Sequence, residues 1–127
     1  MTLVAIAVGG ALGAVSRYLA GGWVQGIAGG DFPWGTWTVN LVGSLALGFM
    51  MIWLHHTLAS TELRHFVVMG FLGSFTTFST FSLETVEMLQ EGLWLRAGLY
   101  SLGSVALGLL AVVAGAAAAT SIFRPSA

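Results

Sequence analysis

The sequence predicts an all-α integral membrane protein with four transmembrane helices, the third of them broken near the middle of the membrane. Of its 127 residues, 57% are hydrophobic and only 7% are charged, and the mean hydropathy is +0.91. These values lie far from the balance that is usual in soluble domains. Four apolar runs, separated by short polar stretches, are each long enough to cross a bilayer. We therefore expect residues 1–127 to form a single four-helix membrane domain.

The same composition excludes several classes of function. The chain contains no cysteine, so disulfides and thiolate metal sites are excluded. A formal net charge of −1 argues against a nucleic-acid surface. No nucleophile, base and orienting group converge in the sequence, so we do not expect an enzyme. The first apolar run follows no positively charged segment, and we interpret it as a retained span rather than a signal peptide.

The first predicted span covers residues 3–27 and carries a stripe of small residues. Gly9, Gly13, Arg17 and Gly21 are spaced by four, so they share one helix face. Small residues at this spacing let another helix approach closely. Arg17 is the only charge in the span and lies in its last third. Its side chain either reaches the water interface or has a direct functional role.

The second predicted span covers residues 34–54, and its polar residues also recur every four positions. Thr36, Asn40 and Ser44 form one stripe. A side-chain amide at hydrocarbon depth must find hydrogen-bond partners. Asn40 therefore either joins two helices or belongs to a functional site.

Histidines are concentrated in the predicted loop after this span. His55, His56 and His65 lie there together with Glu62. Their spacing matches no familiar pattern of metal ligands, and they are predicted to lie at the water interface. We do not expect a metal site in this loop.

The third predicted span, residues 66–89, contains a polar segment at residues 73–82 with six hydroxyl side chains. Such a cluster is tolerated in lipid only where neighbouring protein or a water-filled cavity satisfies its polar groups. A broken helix meets this condition, because free carbonyls can hold a cation and a half-helix N-terminus can face an anion. The segment therefore predicts an ion site. The alternative is that the hydroxyls bond to their own helix while the phenylalanines face lipid.

Two further features flank this segment. Glu84 follows Thr77 by seven residues, which places it about 10 Å further along the same helix face and suggests a hydrated vestibule. The fourth predicted span covers residues 93–122. Tyr100 and Ser104 share a face of it and offer two more hydroxyls.

The arginines give almost no preference for one orientation in the membrane. Arg64 and Arg124 fall on one predicted side, whereas Arg17 and Arg96 fall on the other. A chain without a bias can insert both ways, and opposite orientations can pair about a two-fold axis in the membrane plane. Four short spans leave little room for an enclosed pathway in one protomer. A homodimer, to which antiparallel pairing is open, is the economical solution.

Three stretches carry a family resemblance: GGALGAVSRY at residues 9–18, GTWTVNLVGS at 35–44 and GSFTTFSTFS at 73–82. They resemble the motifs of the Fluc (CrcB) fluoride channel family, and the third is the most specific. The resemblance implies an antiparallel, dual-topology homodimer in the inner (plasma) membrane that passively exports fluoride through two pores. It also implies a structural sodium ion on the two-fold axis.

The resemblance also implies residue roles. The main-chain carbonyls of Gly73 and Thr76 correspond to the sodium ligands. Arg17 and Glu84, by their place in the sequence and not by the resemblance, are expected at structural or vestibule positions. Ser74 occupies a position where many relatives have glycine, and serine allows a smaller range of φ and ψ angles at the break. The pore-lining residues are expected to be Asn40, Phe78, Ser79, Thr80, Phe81, Tyr100 and Ser104.

The chemistry of these residue types suits a small, strongly hydrated anion. A pore must replace the water around such an ion with donors while avoiding a full positive charge that would trap it. Hydroxyl and amide groups supply donors, and the edges of Phe78 and Phe81 carry the positive part of the aromatic quadrupole. The choice of fluoride over chloride rests on the resemblance alone.

One alternative is a proton-coupled exporter of the small multidrug-resistance type, which is also short and four-spanning. That mechanism needs a carboxylate embedded in the membrane. The first span has none, and Glu84 is the only candidate. A structural or assembly subunit is the third class considered, and it would leave the polar segment without a purpose.

Overall fold

The computed structural model describes residues 1–123, so Arg124 and Pro125, expected beyond the fourth span, lie outside the described residues. The helical elements are α1 (Thr2–Ala28), α2 (Trp34–His56), α3 (Thr61–Arg64), a π-helical segment (His65–Leu72), α4 (Gly73–Phe75), α5 (Phe78–Gln90) and α6 (Trp94–Phe123). The elements from α3 to α5 form one helical run, Thr61–Gln90. Within residues 1–123, four helical runs are thus long and apolar enough to span a membrane, as predicted. The chain is a multi-pass membrane protein.

The first, second and fourth runs begin and end within two residues of the predicted bounds. The third differs, because it begins at Thr61 and not at residue 66. Ser60 caps this start by accepting a hydrogen bond from the Leu63 amide at 3.2 Å. Most of the stretch that was predicted to be a loop is therefore helical. The remaining connection, residues 57–60, is held by Arg64, which donates to the carbonyls of Leu54 and Ala59.

Glycines bring the helices together in two pairs. The first helix, α1, packs on the π-helical segment, and α2 packs on α6. Gly9 and Gly13 are buried where α1 meets Phe71, and a Cβ at either glycine would overlap the main chain of the π-helical segment. Gly48 and Gly115 allow the same close approach between α2 and α6. The predicted role of the glycine stripe in α1 is confirmed.

The third run changes backbone conformation at two adjacent threonines. Thr76 has φ −86° and ψ 155°, and Thr77 has φ −146° and ψ 115°, so both are extended between α4 and α5. The Thr77 hydroxyl then caps α5, because it accepts a hydrogen bond from the Thr80 amide at 3.3 Å. The polar segment thus contains its own helix start. Its hydroxyls serve the backbone here, as the packing alternative expects for part of the cluster.

Candidate ion-binding site

The two extended threonines are held by a side chain from α2. The Thr77 amide donates to Oδ1 of Asn40 at 2.7 Å, and Nδ2 of Asn40 donates to the Thr77 carbonyl at 3.0 Å. One amide side chain thus satisfies both main-chain groups of a residue that has left the helix. Asn40 joins two helices, which is one of the two roles that the sequence left open. Its second Nδ2 hydrogen is not needed for this contact and can serve a ligand.

The same contact changes the hydrogen bonding of Gly73. In a continuous α-helix the carbonyl of Gly73 would accept a hydrogen bond from the Thr77 amide, four residues later. That amide is instead bound to Asn40. The Gly73 carbonyl therefore loses its regular helical partner, and Gly73 is exposed on the surface of the protomer. A carbonyl without its helical donor is a suitable oxygen ligand for a hard cation wherever it is accessible.

A groove of about 410 Å³ runs between α2, the third run and α6. Six of the predicted site residues line it: Asn40, Gly73, Thr76, Phe78, Phe81 and Ser104. The rest of its wall is mostly apolar, and none of the lining residues carries a charged side chain. The Ser104 hydroxyl is buried and has no hydrogen-bond partner within residues 1–123. Ser104 and Asn40 thus give the groove two polar groups able to donate to an anion.

The two phenylalanines of the groove differ in exposure. The side chain of Phe78 is 79% exposed, whereas Phe81 is half-buried and packs on Tyr100 with ring centroids 5.3 Å apart. The centroids of Phe78 and Phe81 lie 5.7 Å apart. Phe78 therefore lies at the open side of the groove, whereas Phe81 forms part of its inner wall.

A second cavity, of about 490 Å³, lies between α1, α2 and α5. Arg17 and Glu84, the two predicted vestibule residues, both line it, as do Thr36 and Thr80. Thr77 lines this cavity as well as the groove. Two of the predicted pore residues, Ser79 and Tyr100, belong to the wall of neither space; Ser79 is exposed and Tyr100 is buried. Arg17 is half-buried, and its Nε has no hydrogen-bond partner in the described part of the chain.

Glu84 joins three helices through hydrogen bonds that the sequence did not reveal. Oε1 accepts from the Thr36 hydroxyl at 2.7 Å, and Oε2 accepts from the Tyr100 hydroxyl at 2.6 Å. Tyr100 is 1% exposed and lies behind Phe81. The carboxylate therefore has both oxygens engaged by protein donors, whereas a proton-coupled exporter needs a carboxylate that is free to exchange protons with its substrate. In the sequence, the four-residue spacing of Thr36 and Asn40 indicated only that they share a helix face. It did not indicate that Thr36 binds Glu84.

The structure also bears on a metal site. Within residues 1–123, no group of three or more histidine, cysteine, aspartate or glutamate side chains is arranged to hold a metal ion. His55, His56, Glu62 and His65 therefore do not form a cluster. The main-chain oxygens near the two threonines are the groups that suit a monovalent cation.

Four apolar helical runs, with two partly polar spaces between them, define a multi-pass membrane protein. The family model described as "CrcB-like protein, Camphor Resistance (CrcB)" matches residues 4–116. The chain belongs to the CrcB family, which confirms the resemblance seen in the motifs.

Curated relatives agree with this assignment. The chain is 52% identical over 116 residues to a protein of Hahella chejuensis, covering 91% of each chain. It is 50% identical over 122 residues to one of Geobacter sulfurreducens, covering 95% of this chain and 98% of the relative. A protein of Agrobacterium fabrum is 44% identical over 119 residues, covering 93% and 95%. All three are named fluoride-specific ion channel, which is a class of non-enzymes.

Proposed function

We propose that this chain is a fluoride channel of the inner membrane, which passively exports fluoride as an antiparallel homodimer with two pores. The observation that carries the proposal is the groove, which gathers Asn40, Phe78, Phe81 and Ser104 around a space without charged side chains. The names of the relatives supply the identity of the ion.

The lining of the groove suits an ion that must be bound and released quickly. The free Nδ2 hydrogen of Asn40 and the Ser104 hydroxyl can replace water molecules around a small anion. The edges of Phe78 and Phe81 add weak positive potential. Arg17 lines the other cavity, so a full positive charge stands away from the groove, where it can attract anions without trapping them.

A second protomer would complete the groove. Phe78 and Gly73 are exposed on its rim, and polar groups facing lipid would be costly. The near-zero arginine bias allows the partner to insert upside down, so the same face can be offered from both orientations. The interruption at Thr76 and Thr77 would then lie at mid-membrane depth, which satisfies the requirement that irregular backbone be buried in protein or line a cavity.

A structural sodium ion fits this arrangement. The carbonyl of Gly73 has lost its helical donor, and the extended conformation of Thr76 takes the Thr76 carbonyl away from the helix axis direction of α4. Two protomers related by a two-fold axis would surround one cation with these main-chain oxygens. The ion would supply the positive charge that holds the two interrupted helices together.

The decisive experiment measures ion efflux from liposomes that contain the purified protein. Fluoride, chloride and a cationic dye are loaded in parallel vesicles, and release is followed without a proton gradient. We expect rapid fluoride release, little chloride release and no dye transport. Equal release of fluoride and chloride would contradict fluoride selectivity, and dye transport that requires a proton gradient would favour an exporter.

A further inference from the structure

Gln25, near the end of α1, uses its whole side-chain amide to hold the next connection. Nε2 donates to the carbonyls of Gly30 and Phe32, each at 3.1 Å, and Oε1 accepts from the Gly35 amide at 3.1 Å. A primary amide has two donor hydrogens, and both are used here. Neither the cavity and groove roles described above nor the sequence motifs assign Gln25 a function.

The contact with Gly35 replaces a cap that α2 lacks. The N-cap residue of α2 is Pro33, whose side chain makes no capping hydrogen bond. Proline has no side-chain acceptor, whereas the amides of the first helical turn need one. Gly35 is the second residue of α2, which is a position that an N-cap side chain normally satisfies. Gln25 therefore caps α2 from another helix.

The contacts with Gly30 and Phe32 tie the loop between α1 and α2 to the end of α1. Gly29 and Gly30 have φ of 65° and 71°, in the left-handed region that favours glycine. Asp31 and Phe32, which follow them, line the cavity that Arg17 and Glu84 share. The Gln25 amide thus holds one wall of that cavity as well as the start of α2.

From these contacts we infer that Gln25 is a positioning residue for conduction: it sets the first turn of α2 and thereby aligns Thr36 on Glu84 and Asn40 on Thr77. Thr36 follows Gly35 directly, and Asn40 lies one helical turn further along the same face. A shift of the first turn would move both side chains relative to the third run. Gln25 acts through these residues, and the inference rests on the proposed channel function.

The test compares Gln25→Met with Gln25→Glu in liposomes at low protein density. Methionine keeps the length and loses all three hydrogen bonds. Glutamate keeps the acceptor for the Gly35 amide but loses both donors and places an oxygen against the carbonyls of Gly30 and Phe32. The fraction of vesicles that release fluoride counts folded channels, and the time constant of release reports the rate of each channel. We expect Gln25→Met to slow each channel about fivefold or more with an unchanged vesicle fraction, as loss of several hydrogen bonds implies. Gln25→Glu keeps the cap of α2 and should therefore be slowed less than Gln25→Met, although it loses the contacts to Gly30 and Phe32.

Three controls keep the outcomes distinct. Gly26→Ala adds a methyl group at a neighbouring position with no atom within 4 Å, and should leave both readouts unchanged. Any effect of the new charge in Gln25→Glu should weaken with ionic strength, whereas misalignment should not. Hydrogen exchange of residues 34–37 should be faster in Gln25→Met and near wild type in Gln25→Glu.

Two results would overturn the inference: a normal rate in Gln25→Met despite faster exchange of residues 34–37, or a loss confined to the vesicle fraction. Should Gln25→Met fail to fold, Gln25→Glu still decides. If hydrogen exchange of residues 34–37 in this variant matches the wild type, but its fluoride release stays as slow at high ionic strength as at low, positioning through the cap is contradicted. If the wild-type protein releases no fluoride, the proposed function fails while the exchange experiment still tests the cap.

Discussion

Asn40 and Thr77 form two hydrogen bonds with each other. At the point where the third run is extended, the Asn40 side chain of α2 thus replaces the helical acceptor of the Thr77 amide and also donates to the Thr77 carbonyl. The amide is matched to this task because it presents a donor and an acceptor side by side. The contact leaves the Gly73 carbonyl without its helical partner and keeps one Asn40 hydrogen for a ligand. Asn40 therefore supports the fold and, in the proposed channel, also conduction.

Substitution of Asn40 should separate the donor from the acceptor. Asn40→Asp keeps an oxygen for the Thr77 amide but places a second acceptor against the Thr77 carbonyl, whereas Asn40→Ser is too short for both contacts. We expect both to lose about 1 to 3 kcal/mol of stability. Fluoride efflux should be lower in Asn40→Asp than in Asn40→Ser, because an acceptor then stands where an anion needs a donor. Efflux and thermal unfolding measure the two effects, and a fully active Asn40→Asp would refute the donor role.

Replacement of the groove phenylalanines should slow conduction without loss of assembly. Phe78→Ile and Phe81→Ile keep apolar bulk and remove the ring edge. We expect either change to cut fluoride efflux at least tenfold, or about 1.4 kcal/mol on the barrier. Phe75→Ile is the matched control, because Phe75 stacks on Phe71 at 6.0 Å and lines neither cavity. Wild-type efflux from both groove variants would return these rings to a packing role.

Gly73 offers a test of the proposed partner surface. A Cβ at Gly73 would contact only the Val68 carbonyl, at 3.4 Å, so the protomer itself has room for a side chain. We expect Gly73→Val to break the dimer in size-exclusion chromatography, because the added methyl groups would meet the second protomer and the sodium ion. Thr76→Ser should be mild, since it keeps the hydroxyl that donates to the Leu72 carbonyl. If Gly73→Val stays dimeric and its stability depends on sodium as in the wild type, the proposal of a sodium ion on the two-fold axis at Gly73 is contradicted.

The orientation of the chain should be mixed in a native membrane. Because the arginine bias nearly cancels, a tag at the C-terminus should be labelled from both sides. Two or three arginines added to one loop should fix a single orientation and abolish efflux, and co-expression of the oppositely fixed chain should restore it. Labelling from one side only in the unmodified protein would contradict antiparallel assembly.

The sequence was sufficient to predict features that depend on neighbouring residues along the chain, such as helix length. It was not sufficient to predict side-chain contacts between different helices. The lengths of the apolar runs determined four spans, and the glycine spacing in α1 predicted its close packing. The polar segment drew attention to Thr76 and Thr77, since such a density of hydroxyls needs partners. Periodicity within one helix, however, does not fix the rotation or shift of its neighbour. For this reason Thr36 and Tyr100 had no visible relation to Glu84.

Local signals were also overlooked. Ser60, followed by a short polar stretch, is an ordinary helix start, but the charged residues after it are too polar for lipid, so composition predicts a loop there. The role of Gln25 could not be predicted from the sequence, because its partners are main-chain groups and any residue type supplies those. The presence of Pro33 at the start of α2 was the one available sign that a cap had to come from elsewhere.

Thr77 borders both the groove and the cavity of Arg17 and Glu84, so the two spaces approach each other at this residue. If, in the proposed channel, the two spaces open with water to opposite sides of the membrane, a transmembrane voltage falls mainly across the region of Thr77, because water on either side conducts. An anion would then experience most of the electrical work, about 2.3 kcal/mol per 100 mV, in a single short displacement past Thr77. The electric field of the whole membrane would be concentrated on a residue whose main chain is held by Asn40.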